Sequence, residues 1–197
     1  MGVFDEIALR YDTPERAQVA ETIAAEIRRQ LGDVPGQSAI DYGCGTGLVG
    51  LPLAGFFRAL LMVDASPNMV EVVRQKIEAA HLQNVSALCA DFAEKVPPGL
   101  AADVVIAAQV LLHIPNTENI LRQLYAVLSP GGRLLIVDFD KNEAVWHEKV
   151  HNGFVQAELI AQAKRAGFAD ACAHTFFRGQ RLFMDQDASL FLLSAQK

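Results

Sequence analysis

Three acidic residues stand where short apolar runs of the chain end, and the first is followed by a glycine-rich loop. Asp41 lies two residues before the loop Gly43–Gly47, Asp64 ends the next apolar run, and Asp91, followed by Phe92, ends the third. Glycines let the backbone approach a ligand closely and adopt positive φ angles. The carboxylate of Asp41 suits an ammonium group and that of Asp64 suits a ribose diol. Asp91 and the ring of Phe92 suit adenine, so the pattern predicts a cofactor that carries all three groups.

The same loop is also compatible with a nicotinamide dinucleotide, because Gly45, Gly47 and Gly50 have the G-x-G-x-x-G spacing. In that class the pyrophosphate binds at the turn from the first strand to the next helix. An acid at the strand end, such as Asp41, would repel a pyrophosphate, whereas Asp64 fits the ribose of either cofactor. A single match to this spacing is weak. An NAD-dependent oxidoreductase therefore stays an alternative, as does a cofactor-binding subunit without catalytic activity.

The elements that must position these residues alternate between apolar strands and amphipathic helices. Apolar residues every four positions predict an N-terminal helix over Pro14–Leu31, which Thr13 can cap. The other expected elements are strands at Ala39–Tyr42, Ala59–Val63, Val85–Cys89, Asp103–Ala108, Arg133–Phe139, Ala171–Phe177 and Ser189–Gln196, and helices at Leu48–Gly55, Asn68–Ala80, Thr117–Leu128 and Val155–Ala166. The alternation predicts a parallel sheet covered on both faces. No helix separates the last two strands, so the final strand should run antiparallel, and we expect one domain over residues 1–197.

Four segments have the spelling and the order of motifs known from one family. They are Ile40–Leu48, which reads IDYGCGTGL, Val63–Ser66 followed by Met69, Ala90–Phe92 and Asp103–His113. In that order they resemble the cofactor loop, the ribose-binding acid with its packing residue, the adenine segment and the fourth-strand motif of class I S-adenosylmethionine-dependent methyltransferases of the small-molecule branch. The resemblance implies an α/β fold, a Rossmann-like seven-stranded and mostly parallel sheet of order 3-2-1-4-5-7-6 with the last strand antiparallel.

The resemblance also implies which residues surround the cofactor, S-adenosyl-L-methionine. The expected cofactor-binding residues are Tyr11, Asp41, Gly43, Cys44, Gly45, Gly47, Asp64, Ala65, Met69, Asp91, Phe92 and Gln109. Tyr11 belongs to a segment from Phe4 to Asp12 that is similar to the entrance of a lid helix, here about residues 14–31, and would close over the cofactor. Gln109 would face the methionine moiety or the acceptor, unless it merely ends the fourth strand.

The acceptor side is expected after the fourth and fifth strands. The segment Asp140–Phe154 should wall the acceptor pocket together with the helix Pro14–Leu31, and its Trp146 is either a lid anchor or a substrate platform. The candidate catalytic residues are His151, His147 and His113. Methyl transfer from a sulfonium is an in-line displacement, to which orientation contributes about 7–11 kcal/mol. A base is needed only for a nucleophile that arrives protonated; alternatively, His113 only hydrogen-bonds to the backbone.

Composition and charge limit the classes of partner that we expect this chain to bind. The net charge is −6 and no basic run is longer than Arg28–Arg29, which argues against a nucleic-acid substrate. The most apolar stretch, Leu100–Ile114, is interrupted by polar residues and is too short to span a membrane. The isolated cysteines, Cys44, Cys89 and Cys172, are expected to be buried thiols without a metal. We expect a cytoplasmic monomer or homodimer that acts on a small molecule with an O, N or S nucleophile.

Overall fold

The computed structural model describes residues 5, 8–32 and 36–197 of the chain. In chain order, the elements are a short 3₁₀ helix at Ala8–Arg10, α1 Pro14–Leu31, β1 Ser38–Tyr42, a 3₁₀ helix at Leu51–Phe56, β2 Ala59–Asp64, α2 Pro67–Ala79, β3 Val85–Cys89, β4 Ala102–Ala108, a 3₁₀ turn at Leu111–His113, α3 Thr117–Val127, β5 Leu128–Phe139, α4 Gln156–Arg165, β6 Ala169–Phe183 and β7 Gln186–Gln196.

One seven-stranded sheet has the order β3-β2-β1-β4-β5-β7-β6. β1 pairs in parallel with β2 and β4, and the other neighbours up to β5 are also parallel, whereas β7 is antiparallel to both β5 and β6. The expected fold class and strand order are thus confirmed. The carboxyl ends of β1 to β5 meet at one edge, where α/β sheets bind their ligands, and all three acids named from the sequence lie at this edge.

The helix α1 packs one side into the core of the protein. Thr13 caps it, because its Oγ1 accepts from the backbone N–H of Arg16 at 3.3 Å. Ile23 and Ile27 are fully buried in the core cluster that includes all the central strands. The apolar side of this helix packs into the core, and the residues before it contact the glycine loop; the lid role of residues 14–31 stays a prediction.

The segment after the glycine loop is a 3₁₀ helix, Leu51–Phe56, and not the expected helix Leu48–Gly55. Pro52 lacks an N–H donor, and glycines at positions 50 and 55 disfavour the α-helix. Leu53 nevertheless faces the core. The sequence thus predicted a helical segment here, but its proline and glycines decided the type of helix.

Several strands extend beyond the expected bounds because of pairing that the apolar pattern does not contain. β5 begins at Leu128, which pairs with Ala102 across an irregularity in the register. β6 reaches Phe183 because the β6–β7 hairpin continues as far as the pair Phe183 and Gln186. In the part of the chain that the structure describes, no helix is long and apolar enough to cross a lipid bilayer.

Candidate functional site

The carboxylate of Asp41 is buried at the end of β1 and is 1% exposed. Its Oδ2 has no hydrogen-bond partner among the described residues. Glycine at position 50 makes room for it, because a Cβ there would lie 2.2 Å from Oδ2. Burial, and then the charge of Asp64, raise the pKa of Asp41 to about 7. An unpartnered buried carboxylate is costly, so a cationic or hydrogen-bond-donating ligand would relieve it.

The loop Gly43–Gly47 connects β1 to the 3₁₀ helix in a conformation that needs glycine. Gly43 has a φ of 71°, and a Cβ there would lie 2.2 Å from Cγ2 of Val110. Gly45 has a φ of 53°, and beyond its two chain neighbours no atom of the described residues lies within 4 Å of the position of a Cβ. The loop is therefore packed against the end of β4 on one side and open at Gly45 on the other. The open side leaves room for a ligand beside the backbone.

Cys44 lies in this loop, where its N–H donates to the carbonyl of Val63 at 3.0 Å. Burial, followed by the charges of Asp41 and Asp64, raises the pKa of its thiol well above the ordinary value. The expectation of three buried thiols is otherwise wrong, since Cys89 and Cys172 are exposed and only Cys44 is partly covered. Position in the glycine loop, and not apolar surroundings in the sequence, decides which cysteine is shielded.

Asp64 ties the end of β2 to the glycine loop. Its Oδ2 accepts from the N–H of Gly45 at 2.8 Å and its Oδ1 accepts from the N–H of Ser66 at 2.9 Å. Burial raises its pKa, against the lowering effect of these backbone hydrogen bonds. Each carboxylate oxygen can accept more than one hydrogen bond, so both remain able to accept from a diol. Ala65 is exposed and Met69 is buried, and their contacts with a cofactor stay a prediction.

The ring of Phe92 faces the core and not a ligand. It is 0% exposed and stacks on Tyr42 with a centroid distance of 4.9 Å. Its expected role as an aromatic face for adenine is therefore wrong, because the turn after β3 directs the ring inward. Asp91 is partly exposed, and its Oδ1 accepts from the N–H of Ala93 at 2.8 Å and from the hydroxyl of Tyr42 at 3.3 Å.

The residues before α1 are held against the glycine loop by hydrogen bonds and an ion pair that the sequence did not reveal. The carboxylate of Asp12 accepts from the hydroxyl of Thr46, and the Nζ of Lys76 lies 2.6 Å from its Oδ2. Lys76 also donates to the carbonyl of Thr46 at 2.7 Å. Tyr11 lies close enough to Asp64 for that charge to raise its pKa, although burial contributes more. The motif around Asp12 and the loop threonine were visible in the sequence, but their lysine partner was not.

Gln109 follows β4 in a left-handed conformation, with a φ of 52°. Its N–H donates to the carbonyl of Val137 on β5 at 2.7 Å. Such a φ is sparsely populated by residues other than glycine, and it persists where surrounding contacts impose it, often at functional sites. The half-buried side chain therefore leaves the sheet at the point where β4 turns into Leu111–His113.

The three candidate histidines gather around the Leu111–His113 turn. The N–H of His151 donates to the carbonyl of Leu112 at 2.9 Å, and its Nε2 lies 2.9 Å from the carbonyl oxygen of Ile114. A carbonyl only accepts, so Nε2 carries the proton and Nδ1 of the neutral ring is an acceptor. His113 is half-buried, and burial, together with His147, lowers its pKa. The exposed His147 accepts at Nδ1 from the N–H of Lys149 at 3.1 Å.

The segment Asp140–Phe154 is a loop whose two ends are hydrogen-bonded to each other. The N–H of Lys141 donates to the carbonyl of Phe154 at 2.9 Å, and that of Asn142 to the carbonyl of Asn152 at 2.8 Å. Val145 is 3% exposed and anchors the loop, whereas Trp146 is 85% exposed. The lid-anchor interpretation of Trp146 is therefore wrong, because the neighbouring valine has that role.

A groove of about 490 Å³ lies between this loop and the β6–β7 hairpin. Its lining residues include Asp140, Lys141, Arg178 and Ser189. The helix α1 contributes none of them, so the expected wall between α1 and the loop is not formed at this groove. Within the described ranges, no group of three or more His, Cys, Asp or Glu residues is arranged to hold a metal ion.

Known proteins match this chain along most of its length. It is 24% identical over 158 residues to the sterol 4-C-methyltransferase strm-1 of Caenorhabditis elegans. The aligned region covers 77% of this chain and 47% of that protein. The chain thus spans about half the length of this curated relative. Among solved structures, a SAM-dependent methyltransferase of Aquifex aeolicus has a TM-score of 0.74 at 19% identity and covers 98% of this chain and 97% of that chain.

A second solved structure is the phosphoethanolamine N-methyltransferase 2 of Haemonchus contortus in complex with S-adenosyl-L-methionine. Its TM-score is 0.75 at 17% identity, with coverage of 100% of this chain and 60% of that chain. At such identities the likeness concerns the fold. The family model described as a methyltransferase domain matches residues 33–184. Because that match extends over well more than half of the chain, the protein belongs to the methyltransferase domain family.

Proposed function

We propose that this chain is an S-adenosylmethionine-dependent methyltransferase that transfers a methyl group to an O, N or S atom of a small molecule. The observation that carries the proposal is the unpartnered carboxylate oxygen of Asp41, buried at the carboxyl end of β1 beside Asp64. The methionine ammonium group would be attracted by this pair of carboxylates. A pyrophosphate at the same loop would be repelled by them, which, with the family membership, favours methyl transfer over an NAD-dependent oxidoreductase.

The residues present fit the cofactor at three of its groups. Asp41 would bind the ammonium group directly or through water, and Asp64 would accept hydrogen bonds from the ribose diol while it continues to hold Gly45. Asp91 would accept from the adenine amino group. Tyr11, held beside Asp64, would cover the cofactor from the N-terminal side. When bound, the cofactor supplies an electrophilic methyl group on a positively charged sulfur.

The residues of this chain would then orient the acceptor and remove its proton where it has one. Gln109, which leaves the end of β4, would contact the acceptor or the methionine moiety. His151 would accept the proton at Nδ1, because Nε2 is already committed to the carbonyl of Ile114. The exposed indole of Trp146 would be a platform at the mouth of the site. No stronger acid or base is required, since the sulfonium is a good leaving group.

The relatives support a small molecule as the acceptor but not a particular acceptor atom, since the sterol enzyme is by its name a 4-C-methyltransferase. Sterol and demethylmenaquinone methyltransferases match this chain in sequence, the latter at 30% identity over 122 residues in Listeria welshimeri. The names of both proteins indicate small-molecule substrates. A small acceptor also fits this chain because its negative net charge is unfavourable for binding a nucleic acid. We also propose a cytoplasmic location. We propose that the protein is a monomer or a homodimer, and size-exclusion chromatography with light scattering tests this oligomeric state.

Calorimetric titration of the purified protein with S-adenosylhomocysteine and, separately, with NAD tests the cofactor assignment. We expect S-adenosylhomocysteine to bind at least about tenfold more tightly, and tighter binding of NAD would overturn the proposal. Incubation with a metabolite extract and methyl-labelled S-adenosylmethionine then tests catalysis. Labelled product supports an enzyme, whereas cofactor binding without any product would favour the inactive-subunit alternative.

A further inference from the structure

Asp138 is a buried carboxylate at the end of β5 that the sequence motifs did not single out. It is 0% exposed, and burial raises its pKa to about 7. Its Oδ1 accepts from the N–H of Phe139 at 2.9 Å, and its Oδ2 accepts from the N–H of Leu112 at 3.2 Å. The backbone of Leu111 also donates to it. The carboxylate therefore fixes the Leu111–His113 turn, which follows β4, to the end of the neighbouring strand.

The turn that Asp138 holds is the same turn that holds His151. The carbonyl of Leu112 accepts from the backbone of His151, and the carbonyl of Ile114 accepts from its ring, both at 2.9 Å. Leu112 is thus bonded to Asp138 through its N–H and to His151 through its carbonyl. The ring is further restrained by Phe154, at a centroid distance of 5.3 Å. Asp138 and the backbone N–H of His151 are separated by one residue, Leu112, and two hydrogen bonds.

We propose that Asp138 is a positioning residue that, through the Leu111–Ile114 backbone, sets the orientation and the Nε2–H tautomer of His151. The role of that histidine in removing a proton rests on the proposed function, whereas its placement by Asp138 does not. The carboxylate is suited to this role because it has two accepting oxygens for amides that approach from two sides. An asparagine has only one, and its NH₂ group would face an N–H donor.

The variant Asp138→Asn tests the placement without any acceptor. We expect nitrogen NMR of the labelled imidazoles to show Nε2–H for His151 in the natural protein above pH 8, and a mixture of tautomers in the variant. Asp103→Asn is the matched control, since Asp103 also accepts from a backbone amide, that of Ser38 at 2.8 Å, but at the opposite edge of the sheet. An Nδ1–H tautomer in the natural protein would overturn the proposal, even if the variant fails to fold.

Kinetics separate positioning from general structural support. Asp138→Asn should lower kcat by about tenfold or more while the affinity for S-adenosylhomocysteine changes by less than about threefold. In a His151→Ala background the same change should have almost no further effect, because the two residues act as a unit. Equal losses in both backgrounds would contradict the proposal. If no methyl transfer is found at all, the proposed function fails, but the NMR result still decides the placement.

Discussion

The cofactor side and the acceptor side of the sheet edge are built differently. On the cofactor side, at the ends of β1 to β3, each important carboxylate lies within a few residues of a recognisable motif, and Asp64 bonds the loop directly. On the proposed acceptor side, His151 is held by backbone carbonyls of a turn that is itself held by a buried acid from another strand. The residues proposed to bind the cofactor thus belong to recognisable local motifs, whereas no local motif marks the residue that supports His151.

The variant His151→Ala should separate the two sides most strongly. We expect turnover to fall by about 100-fold, because general-base catalysis typically contributes at least that much, while the affinity for S-adenosylhomocysteine stays within about twofold. Steady-state kinetics and calorimetry measure the two quantities. His81→Ala, at an exposed histidine after α2, is the control and should change neither. A large loss of cofactor affinity in His151→Ala would break the distinction between the sides.

The variant Asp64→Ala should have the opposite pattern. The loss of one hydrogen bond to a charged acceptor costs about 1.5–3 kcal/mol, so even one lost bond to the ribose should lower cofactor affinity by about 10-fold to 150-fold. The substitution also frees the N–H of Gly45, which loosens the loop. The kcat at saturating cofactor should change by less than about fivefold. If calorimetry finds an unchanged affinity for the cofactor, the assignment of Asp64 to the ribose is wrong.

The buried carboxylates make stability depend on pH. Because the folded pKa of Asp41 is about 7, above its unfolded value near 3.9, the native state binds more protons between these pH values. Stability is therefore highest below about pH 4 for this group and falls as pH rises towards 7 and above. Asp41→Asn should raise the unfolding free energy of the ligand-free protein at pH 8 by about 1–3 kcal/mol while it weakens cofactor binding.

Thermal unfolding between pH 5 and pH 8 measures this effect. The decrease in unfolding free energy with rising pH should be smaller in Asp41→Asn. It should not vanish, since the pKa of Asp138 is also raised to about 7. Asp103 provides a control of opposite sign, because hydrogen bonds from Ser38 lower its pKa. Asp103→Asn should therefore reduce stability at pH 8. A loss of stability in Asp41→Asn at that pH would show that its carboxylate is satisfied in the ligand-free protein.

The smallest effect is expected at the lysine that fastens the N-terminal residues. Lys76→Met removes the ion pair with Asp12 and the bond to the carbonyl of Thr46. Both charged side chains are about one-third exposed, so the pair contributes less than about 1 kcal/mol. The dissociation rate of S-adenosylhomocysteine should rise by about twofold to fivefold, as stopped-flow experiments would show. Arg122→Met, which breaks the exposed pair with Glu118 on α3, should leave that rate unchanged.

Much of the fold followed from local patterns. The alternation of apolar runs and amphipathic segments predicted a parallel sheet, and the resemblance of the motifs to a family implied the strand order that the structure has. The predictions that failed depended on packing between distant segments. The ring of Phe92 turns inward onto Tyr42, and the loop of residues 140–154 is anchored by Val145 and not by Trp146. A residue's type does not indicate which side of a turn it faces.

By itself, the sequence determined the glycine loop, the acids at the three strand ends and the class of cofactor they suit, because those features depend on residues close together in the chain. Only the tertiary structure decided that Asp138 supports the turn beneath His151, since this link joins β5 to residues 26 positions earlier. It also decided that the residues before α1 are fastened over the loop by Lys76. Such contacts depend on how the strands bring distant residues to one edge, which no local pattern contains.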